Sequence, residues 1–539
     1  MIPKNEQAQL RANLFRHLDG IGTAPTAYAL HEKGVLSYLL EAKSSTLKEL
    51  VERFNANEGY LNVALRILCS QGWINQFVDN KNDVISYTIN EKSEPAFRWV
   101  TIYKEVVDLL KLSERFHPRK FELEPFLVLE KIFKNYCNRY DLPEPTNEYE
   151  REIQDQMLTH IEGIILGPTI VHLGMSGMFH KYFMEASFKP EEFHNDPESF
   201  TKLLNMFAHL GWFSENGGTY KFTEKGLFYA KRASAYGVTV SYIPTFRHLD
   251  ELIFGNAKIL VTEFGEEEKH VDRAMNVWGS GGAHAAYFKV VDEIIVDIFN
   301  QRIEDQPKGI LDMGCGNGAF IQHLFDVIEQ QTERGRRLDE YPLTLVGVDY
   351  NQAALKITKA NLVQSDIWAK VIWGDIGRPD LLAQDLKGNY GIELNDLLNV
   401  RTFLDHNRIW QEPNHSGDIL SDSKGAFAYQ GVRKSNNLVQ ASLVEHFQKW
   451  APFVRKFGLL LIELHTVDPE LVAKNLGKSA VTAYDATHGY SDQYILEIDE
   501  FLKSLELVGL YPDKNQFRKF PNSDLASVTV NLFKEKQAS

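Results

Sequence analysis

A glycine-rich segment near the middle of the chain, GILDMGCGNGAF at 309–320, restricts its fold more than any other feature. Apolar residues lead into Asp312, and an apolar helical pattern begins at Phe320. Three glycines stand between them at alternate positions: Gly314, Gly316 and Gly318. This order predicts a strand, a tight turn and a helix. Glycine suits such a turn because it adopts backbone angles that a Cβ forbids and lets the backbone approach a ligand closely.

Two further strands predict a nucleotide site of a particular kind. The stretch LTLVGVD ends in Asp349, and an acid at the end of a second strand accepts hydrogen bonds from ribose hydroxyls. A helix is predicted over 352–362, and a third strand over 371–373 runs into Gly374, Asp375 and Ile376. The glycines alternate and an acid precedes them, so the pattern differs from a dinucleotide-binding Gly-x-Gly-x-x-Gly turn.

The motifs LDMGCGNG, VGVDYN and GDI, in this order, resemble the class I S-adenosylmethionine (SAM) methyltransferases. The resemblance implies an α/β, Rossmann-like core with SAM as cofactor. It implies that Asp312 lies near the methionine end of SAM, that Asp349 holds the ribose and that Asp375 meets the adenine amino group. The predicted cofactor-binding residues are Asp312, Gly314, Gly316, Gly318, Asp349, Tyr350, Asp375, Ile376 and Asn395.

Bulk properties exclude several classes of protein. The chain has 539 residues, which predicts about three domains. Its formal charge of -15 argues against general nucleic-acid binding. Three cysteines without metal-ligand spacing fit a reducing compartment. With no long apolar run and no signal-like block at the N-terminus, we expect a cytoplasmic protein without a membrane partner.

The N-terminal half predicts two winged-helix-like units. Helices over 27–40, 47–54 and 60–71 precede a hairpin formed by 76–78 and 84–89. A second copy follows, in which Gly211-Trp212-Phe213 repeats Gly72-Trp73-Ile74. The first unit resembles the N-terminal dimerisation domain of SAM-dependent O-methyltransferases.

These patterns predict four segments. Residues 1–120 form the first winged-helix-like unit, and 121–250 hold linker helices and the second unit. Connecting helices occupy 251–300, where Gly279–Gly282 is interpreted either as part of a lid or as a plain hinge. The methyltransferase core fills 301–539, so the fold class is α/β with a mostly helical N-terminal region.

Polar residues gather where strands of the predicted core end. A fourth strand is predicted over 390–398, with Asn395 at its end, and a fifth over 459–464. The candidate general bases near these ends are Tyr350, Asp405, His406 and His465. Two histidines with an oxygen ligand suit a catalytic divalent metal, and His465, His488 and Gln493 are the candidate set.

Over most of its length the chain is similar to the loading-module C-methyltransferases of cyanobacterial, apratoxin-type polyketide synthases. The segments LNVRTFLDHNR and DATHGYSDQY carry this narrower resemblance. It implies methylation of a malonyl group on an acyl carrier protein beside other synthase domains, assisted by one iron or manganese ion. Common polyketide C-methyltransferases use a His/Glu pair instead. No secure glutamate partner is evident in the sequence, which favours the metal.

Two alternatives belong to other classes of function. One is a small-molecule O-methyltransferase in which a histidine deprotonates a hydroxyl group. The other is a SAM-sensing winged-helix regulator, whose wings need Lys/Arg clusters to bind DNA. The two wings carry only Lys81 and Lys221, so the regulator is the least favoured.

Overall fold

The computed structural model describes residues 2–115, 122–180, 184–262, 266, 268–281, 284–415 and 419–536. Its fifteen strands are β1 Ser44–Thr46, β2 Ile74–Asp79, β3 Val84–Ile89, β4 Phe213–Asn216, β5 Thr219–Phe222, β6 Gly309–Met313, β7 Thr344–Asp349, β8 Lys370–Trp373, β9 Leu397–Thr402, β10 Phe427–Tyr429, β11 Val432–Lys434, β12 Leu459–Leu464, β13 Leu510–Pro512, β14 Arg518–Phe520 and β15 Val528–Glu535.

The α-helices of the same described ranges are α1 Lys4–Glu32, α2 Val35–Ala42, α3 Leu47–Phe54, α4 Glu58–Ser70, α5 Ser93–Trp99, α6 Lys104–Lys111, α7 Leu123–Cys137, α8 Glu148–Met175, α9 Pro197–His209, α10 Glu224–Ala230, α11 Ser234–Ser241, α12 Ile243–Phe246, α13 Leu249–Phe254, α14 Arg273–Gly281, α15 His284–Phe299, α16 Ala319–Gln331, α17 Gln352–Gln364, α18 Pro379–Tyr390, α19 Asn436–Val454, α20 Pro469–Ala473, α21 Val481–Gly489 and α22 Ile498–Glu506.

The chain forms two compact units that interleave in sequence. The N-terminal unit comprises Met1–His284, Ala426–Arg433 and Asp468–Asp492. The C-terminal unit comprises Ala285–Gly425, Lys434–Val467 and Gln493–Ser539. Two short segments from the second half of the sequence therefore belong to the N-terminal unit. The division into four segments at 120, 250 and 300 stays a prediction.

Two long helices, α1 and α8, pack closely in the N-terminal unit because glycines face the partner backbone. A Cβ on Gly20 would lie 2.4 Å from the Cα of His160. A Cβ on Gly163 would lie 2.3 Å from the carbonyl oxygen of His17. Real Cβ atoms do not approach so closely, so any larger residue at either position would force the helices apart.

The two winged-helix-like units are confirmed. In the first, α3 begins with a capping box in which Thr46 accepts from the amide of Glu49 and Glu49 accepts from the amide of Thr46. Its wing is the sheet β1-β3-β2, and the wing of the second unit is the hairpin of β4 and β5. Buried Trp73 and Trp212 occupy matching positions in the two copies. The sequence also predicts a helix over 164–183 in the second unit, and its last residues, 181–183, lie outside the described residues.

The two inserted segments are held in the N-terminal unit by polar contacts. The amide of Gly59 donates to the carbonyl of Gly431, between α4 and the β10–β11 hairpin. Arg66 on α4 forms an ion pair with Asp485 on α21, and both side chains are buried. A buried ion pair needs both partners in place, so α21 is fixed by charge as well as by apolar packing.

The C-terminal unit is built on one eight-stranded sheet, in the order β13-β15-β12-β9-β6-β7-β8 with β14 paired to β15. The five strands from β12 to β8 run parallel, and β15 is antiparallel to β12. Along the chain, β7 and β8 are added on one side of β6, and β9 and β12 are then added on its other side. Ligands of such a sheet bind where the strand order switches sides, at the carboxyl ends of β6 and its neighbours. The Rossmann-like core is therefore confirmed.

Two predicted elements differ from the structure. The fourth strand is Leu397–Thr402, because α18 continues to Tyr390 and ends at Gly391, whose φ is 67°. The break predicted at Gly279–Gly282 is helical through Gly281, as the end of α14. Gly282 lies outside the described residues, so the lid stays a prediction.

None of the helices within the described ranges combines the length and the apolar character that crossing a membrane requires.

Candidate functional site

The glycine turn after β6 has the open backbone that a cofactor needs. Gly314, Gly316 and Gly318 have φ angles of 82°, 56° and 81°, in the region that favours glycine. A Cβ on Gly316 would have no atom within 4 Å, so the space beside this backbone is vacant. A Cβ on Gly314 would lie 3.0 Å from the side chain of Leu404. The turn therefore presents bare backbone to a ligand at the carboxyl end of β6.

Asp349 closes the other side of this turn at the end of β7. One carboxylate oxygen accepts from the amide of Gly316 at 2.9 Å. The other accepts from the amide of Asn351 at 2.8 Å. These bonds fix the carboxylate at the partly exposed edge of the sheet, and a carboxylate oxygen can accept more than one hydrogen bond. The geometry fits the predicted ribose contact.

Asp312 is a buried carboxyl group, 2 % exposed, to which no described residue donates a hydrogen bond. Burial, reinforced by the nearby negative charge of Asp349, raises the pKa of Asp312 to about 8. A buried acid without a protein partner is stabilised by a cation that binds beside it. The positively charged methionine end of SAM has this chemistry, so the residues present fit the cofactor.

The other predicted cofactor contacts fall into two groups. Tyr350 is 41 % exposed, and its carbonyl accepts from Nε1 of Trp373 at 3.0 Å, beside Asp375 and Ile376 after β8. These residues all follow the carboxyl ends of β7 and β8. Asn395 does not lie at the carboxyl end of a strand, because it precedes β9 and is exposed at the amino edge of the sheet. The prediction for Asn395 is therefore wrong, since the strand begins seven residues later than expected (397 against 390).

Tyr350 was also a candidate general base. Its exposed ring lies 5.6 Å from the ring of Trp373, between centroids. Both aromatic rings stand at the carboxyl ends of the strands that carry the ribose and adenine contacts. This position suits stacking on the cofactor better than proton transfer to a substrate.

His406 and Glu463 form a buried pair at the carboxyl ends of β9 and β12. Nδ1 of His406 lies 2.5 Å from Oε1 of Glu463, with 5 % and 1 % of the two side chains exposed. Glu463 also accepts from the amides of Asp405, at 3.0 Å, and Leu464, at 2.8 Å. A carboxylate only accepts hydrogen bonds. Nδ1 of His406 therefore donates in this bond, and Nε2 is the ring nitrogen on the side away from Glu463.

A second set of buried charges stands next to this pair. Oδ1 of Asp405 accepts from Nη1 of Arg401 at 2.5 Å and from Nε2 of His446 at 2.8 Å. Burial alone would raise the pKa of Asp405, but Arg401 and His446 hold it at about 2. Burial lowers the pKa of His446 to about 4, so this histidine is a neutral donor. Asp405 is thus an anchored anion and does not fit its predicted role as a general base.

His465 does not fit a metal ligand or a general base. It is fully buried, and burial lowers its pKa to about 3. Nδ1 donates to the carbonyl of Leu496 at 3.2 Å, and Nε2 accepts from the hydroxyl of Thr529 at 2.8 Å. Both ring nitrogens are therefore used by the protein, and the imidazole serves the packing of β12 against β15.

The other two predicted metal ligands are His488 and Gln493. His488 lies on α21 of the N-terminal unit, where its Nδ1 donates to the carbonyl of Tyr484 at 2.8 Å. Gln493 is buried in the C-terminal unit, as is His465. Within the described ranges, no group of three or more His, Cys, Asp or Glu side chains is arranged to hold a metal ion. These residues do not fit the predicted iron or manganese site, and we derive no step through a metal.

Glu463 is the functional residue that sequence reasoning missed. Every residue of β12 is buried, and Glu463 is the one charged residue in the stretch LLLIEL. A charged side chain inside a buried strand requires a partner. The position of Glu463 in this stretch was therefore the sequence signal that could have identified it. It did not identify the partner, because His406 lies 57 residues earlier in the chain.

Comparisons with known proteins identify the family of the chain. Three family models match in sequence order: the AprA N-terminal domain at residues 10–76, the AprA winged helix domain at 162–256 and the AprA MT2-like domain at 268–531. No curated protein matches the chain.

The chain is similar to several solved structures at low identity. The mitomycin 7-O-methyltransferase MmcR is 11% identical with a TM-score of 0.39, over 70% of this chain and 97% of its own. The CurJ carbon methyltransferase is 14% identical with a TM-score of 0.32, over 76% and 98%. The LepI complex with SAM is 11% identical with a TM-score of 0.39, over 81% and 99%. The three family models together cover most of the chain, and the protein therefore belongs to the AprA-type family of SAM-dependent methyltransferases.

Proposed function

We propose that the protein is a C-methyltransferase that methylates the α-carbon of a malonyl group held as a thioester on an acyl carrier protein, in polyketide biosynthesis. One observation carries the proposal: Glu463 on β12 pairs with buried His406 in the turn after β9, and β9 is the neighbour of the strand that leads into the glycine turn. The pair supplies the base that the sequence seemed to lack, so the proposal needs no metal ion.

The chemistry requires a carbon acid to lose a proton. A hydrogen on the carbon next to a thioester carbonyl is acidic, and Nε2 of His406 accepts it as the Cα–H bond breaks. Glu463 stabilises the resulting imidazolium through the Nδ1–H bond and keeps the ring in one orientation. When bound, SAM would supply the electrophilic methyl group for the carbon that His406 deprotonates.

The buried charges around Asp405 keep the base in place. The backbone turn Asp405–Asn407 carries His406, and it is fixed at Asp405 by Arg401 and His446. The amide of Asp405 donates to the same Glu463 carboxylate that holds the imidazole. A base held by several hydrogen bonds is ready to accept the proton without rearrangement.

The test is mass spectrometry of malonyl carrier protein incubated with enzyme and SAM. The wild-type protein should add methyl groups with or without a metal chelator. His406→Ala should lower the rate about 10²–10⁴-fold, which is the usual contribution of a general base. His415→Ala is the matched control, since His415 also follows β9 in the chain and is 93 % exposed.

A second readout separates carbon from oxygen chemistry. In deuterated water without SAM, wild-type protein should exchange the α-hydrogen of the malonyl group, and His406→Ala should not. Methylation of small hydroxyl compounds together with no reaction at malonyl carrier protein would refute the proposal in favour of an O-methyltransferase. Loss of all activity in chelator would restore a metal mechanism through other residues.

A further inference from the structure

An exposed apolar surface lies at one edge of the C-terminal sheet. Strand β8 is the last strand in the sheet order, and α17 precedes it in the chain. Trp368, between them, is 90 % exposed, Val363 is 71 % exposed and Ile357 is 52 % exposed. Tryptophan is rarely so exposed unless it is used, and it is the residue most enriched at the energetic centres of protein interfaces.

Three lysines surround these apolar side chains. Lys356, Lys359 and Lys370 are exposed, and none of them forms a salt bridge with a described residue. The sequence of α17, QAALKITKANLVQ, contains no acid, although the whole chain has a formal charge of -15. Exposed Asp366 lies between Val363 and Trp368 in the chain, so the three lysines leave a net positive charge on this surface, which is complementary to an acidic partner.

The helix places these groups together. Lys356, Lys359 and Val363 are spaced by three and four residues, so they follow one stripe of α17. Trp368 comes two residues before β8, and Nζ of Lys370 lies 5.4 Å from the centroid of the Tyr390 ring. We call the surface formed by residues 356, 357, 359, 363, 368 and 370 the α17–β8 surface.

We infer that the α17–β8 surface docks an acidic acyl carrier protein, an inference that rests on the proposed function. An acidic helical partner would pair with the lysines and cover Trp368, Val363 and Ile357. A second copy of this chain, related by a two-fold axis, would instead place lysines against lysines. Across the sheet, β8 is three strand spacings from β9, or roughly 14 Å. The surface extends from the carboxyl edge of the sheet, where α17 begins after β7, to the amino edge, where Trp368 precedes β8. A substrate on a long flexible arm would therefore approach His406, which follows β9, from the Lys356 end of the surface.

The experiment compares two substrates with each variant. One is malonyl carrier protein, which needs docking, and the other is a malonyl thioester of free pantetheine, which does not. The variants are Trp368→Ala and the triple variant Lys356→Glu, Lys359→Glu, Lys370→Glu. The control combines Leu507→Ala and Lys514→Glu, both at exposed positions away from this edge in the same unit.

Each docking variant should raise KM for malonyl carrier protein by about tenfold, as loss of one interface hot spot does, and leave KM for the pantetheine thioester unchanged. The control should change neither value. Added salt should raise KM for the carrier with wild-type enzyme, and much less with the triple variant.

Four other outcomes would each contradict either the docking of a carrier protein on this surface or the proposed function. Unchanged KM for the carrier in both variants, with wild-type activity on both substrates, overturns the docking surface and leaves the proposed function standing. Equal increases for both substrates also overturn it, because the surface would then act through the fold. A change in the sedimentation of the free enzyme would identify a second copy as the occupant. Wild-type protein that methylates neither substrate refutes the proposed function itself.

Discussion

Nδ1 of His406 and Oε1 of Glu463 lie 2.5 Å apart, although His406 lies in the turn after β9, Glu463 lies on β12 and 57 positions separate them in the chain. Because β9 and β12 are parallel neighbours, their carboxyl ends meet at one edge of the sheet. The same edge carries the glycine turn after β6. The relationship places a paired histidine next to the position where a methyl donor binds.

Replacing Glu463 by Gln should reduce turnover more than it reduces binding of SAM. The amide no longer stabilises the imidazolium that forms when His406 accepts a proton, while the side chain keeps nearly the same shape. We expect kcat to fall by about 10²-fold or more, because part of the general-base contribution is lost. Single-turnover kinetics measures the chemical step, and calorimetry with SAM is the control. An unchanged chemical step would show that the pair is only structural.

Replacing Asp349 by Ala should weaken the binding of SAM. The variant loses a charge-assisted ribose contact, which should cost about 1.5–3 kcal/mol. This corresponds to an increase in Kd of roughly 10- to 150-fold. Asp339→Ala removes an exposed acid from the loop before β7 and serves as the control. Calorimetry that gives equal affinities for wild-type and Asp349→Ala protein would contradict the assignment.

The affinity for SAM should depend on pH through Asp312. The pKa of this carboxyl group is raised to about 8 by burial and by Asp349, so at pH 6 it is protonated in the free protein. A bound cation favours the ionised form, so binding releases a proton and the affinity should rise as the pH increases from 6 to 8. Titration calorimetry in buffers of different ionisation enthalpy measures this proton release.

The stability of the free protein should also depend on pH through Asp312, and the contribution of Asp312 should decrease as the pH rises. A carboxyl group whose folded pKa is raised stabilises the fold fully below its unfolded value of 3.8, and that contribution is lost as the pH rises through about 8. Asp312→Asn should therefore raise the Tm of the free protein at pH 9 while it weakens SAM binding. A lower Tm at pH 9 would show that the buried carboxylate has a stabilising partner.

In the N-terminal unit, breaking the buried pair of Arg66 and Asp485 should destabilise the protein strongly. Asp485→Leu removes the buried carboxylate that pairs with the guanidinium of Arg66 and should cost about 3–5 kcal/mol. Arg66→Met combined with Asp485→Leu removes both charges and should recover much of that loss. Thermal unfolding measures both variants. Asp108→Ala breaks an exposed pair with Lys104 and should cost at most about 1 kcal/mol.

The parts of the site that the sequence predicted are those set by neighbouring residues. Alternating glycines after an apolar strand determine the turn locally, since Gly314, Gly316 and Gly318 need left-handed backbone wherever the rest of the chain lies. Asp349 ends its strand within a few residues of a helix start, and this short-range pattern was also sufficient. The wings of the N-terminal half were found because one local pattern occurs twice.

The parts that only the tertiary structure decided depend on which strands and helices become neighbours. His465 looked like a ligand because it follows a strand, but Thr529 on the antiparallel neighbour β15 uses its second ring nitrogen. Residues 468–492 follow the fifth strand of the core, yet they belong to the N-terminal unit.

The partner of His406 was hidden for the same reason. Glu463 and His406 each follow an ordinary strand pattern, and their pairing depends on the register of β9 against β12. A local pattern determines the backbone conformation of a few residues. Register and burial are set by contacts between segments far apart in sequence, whose free energy no short stretch of the chain contains.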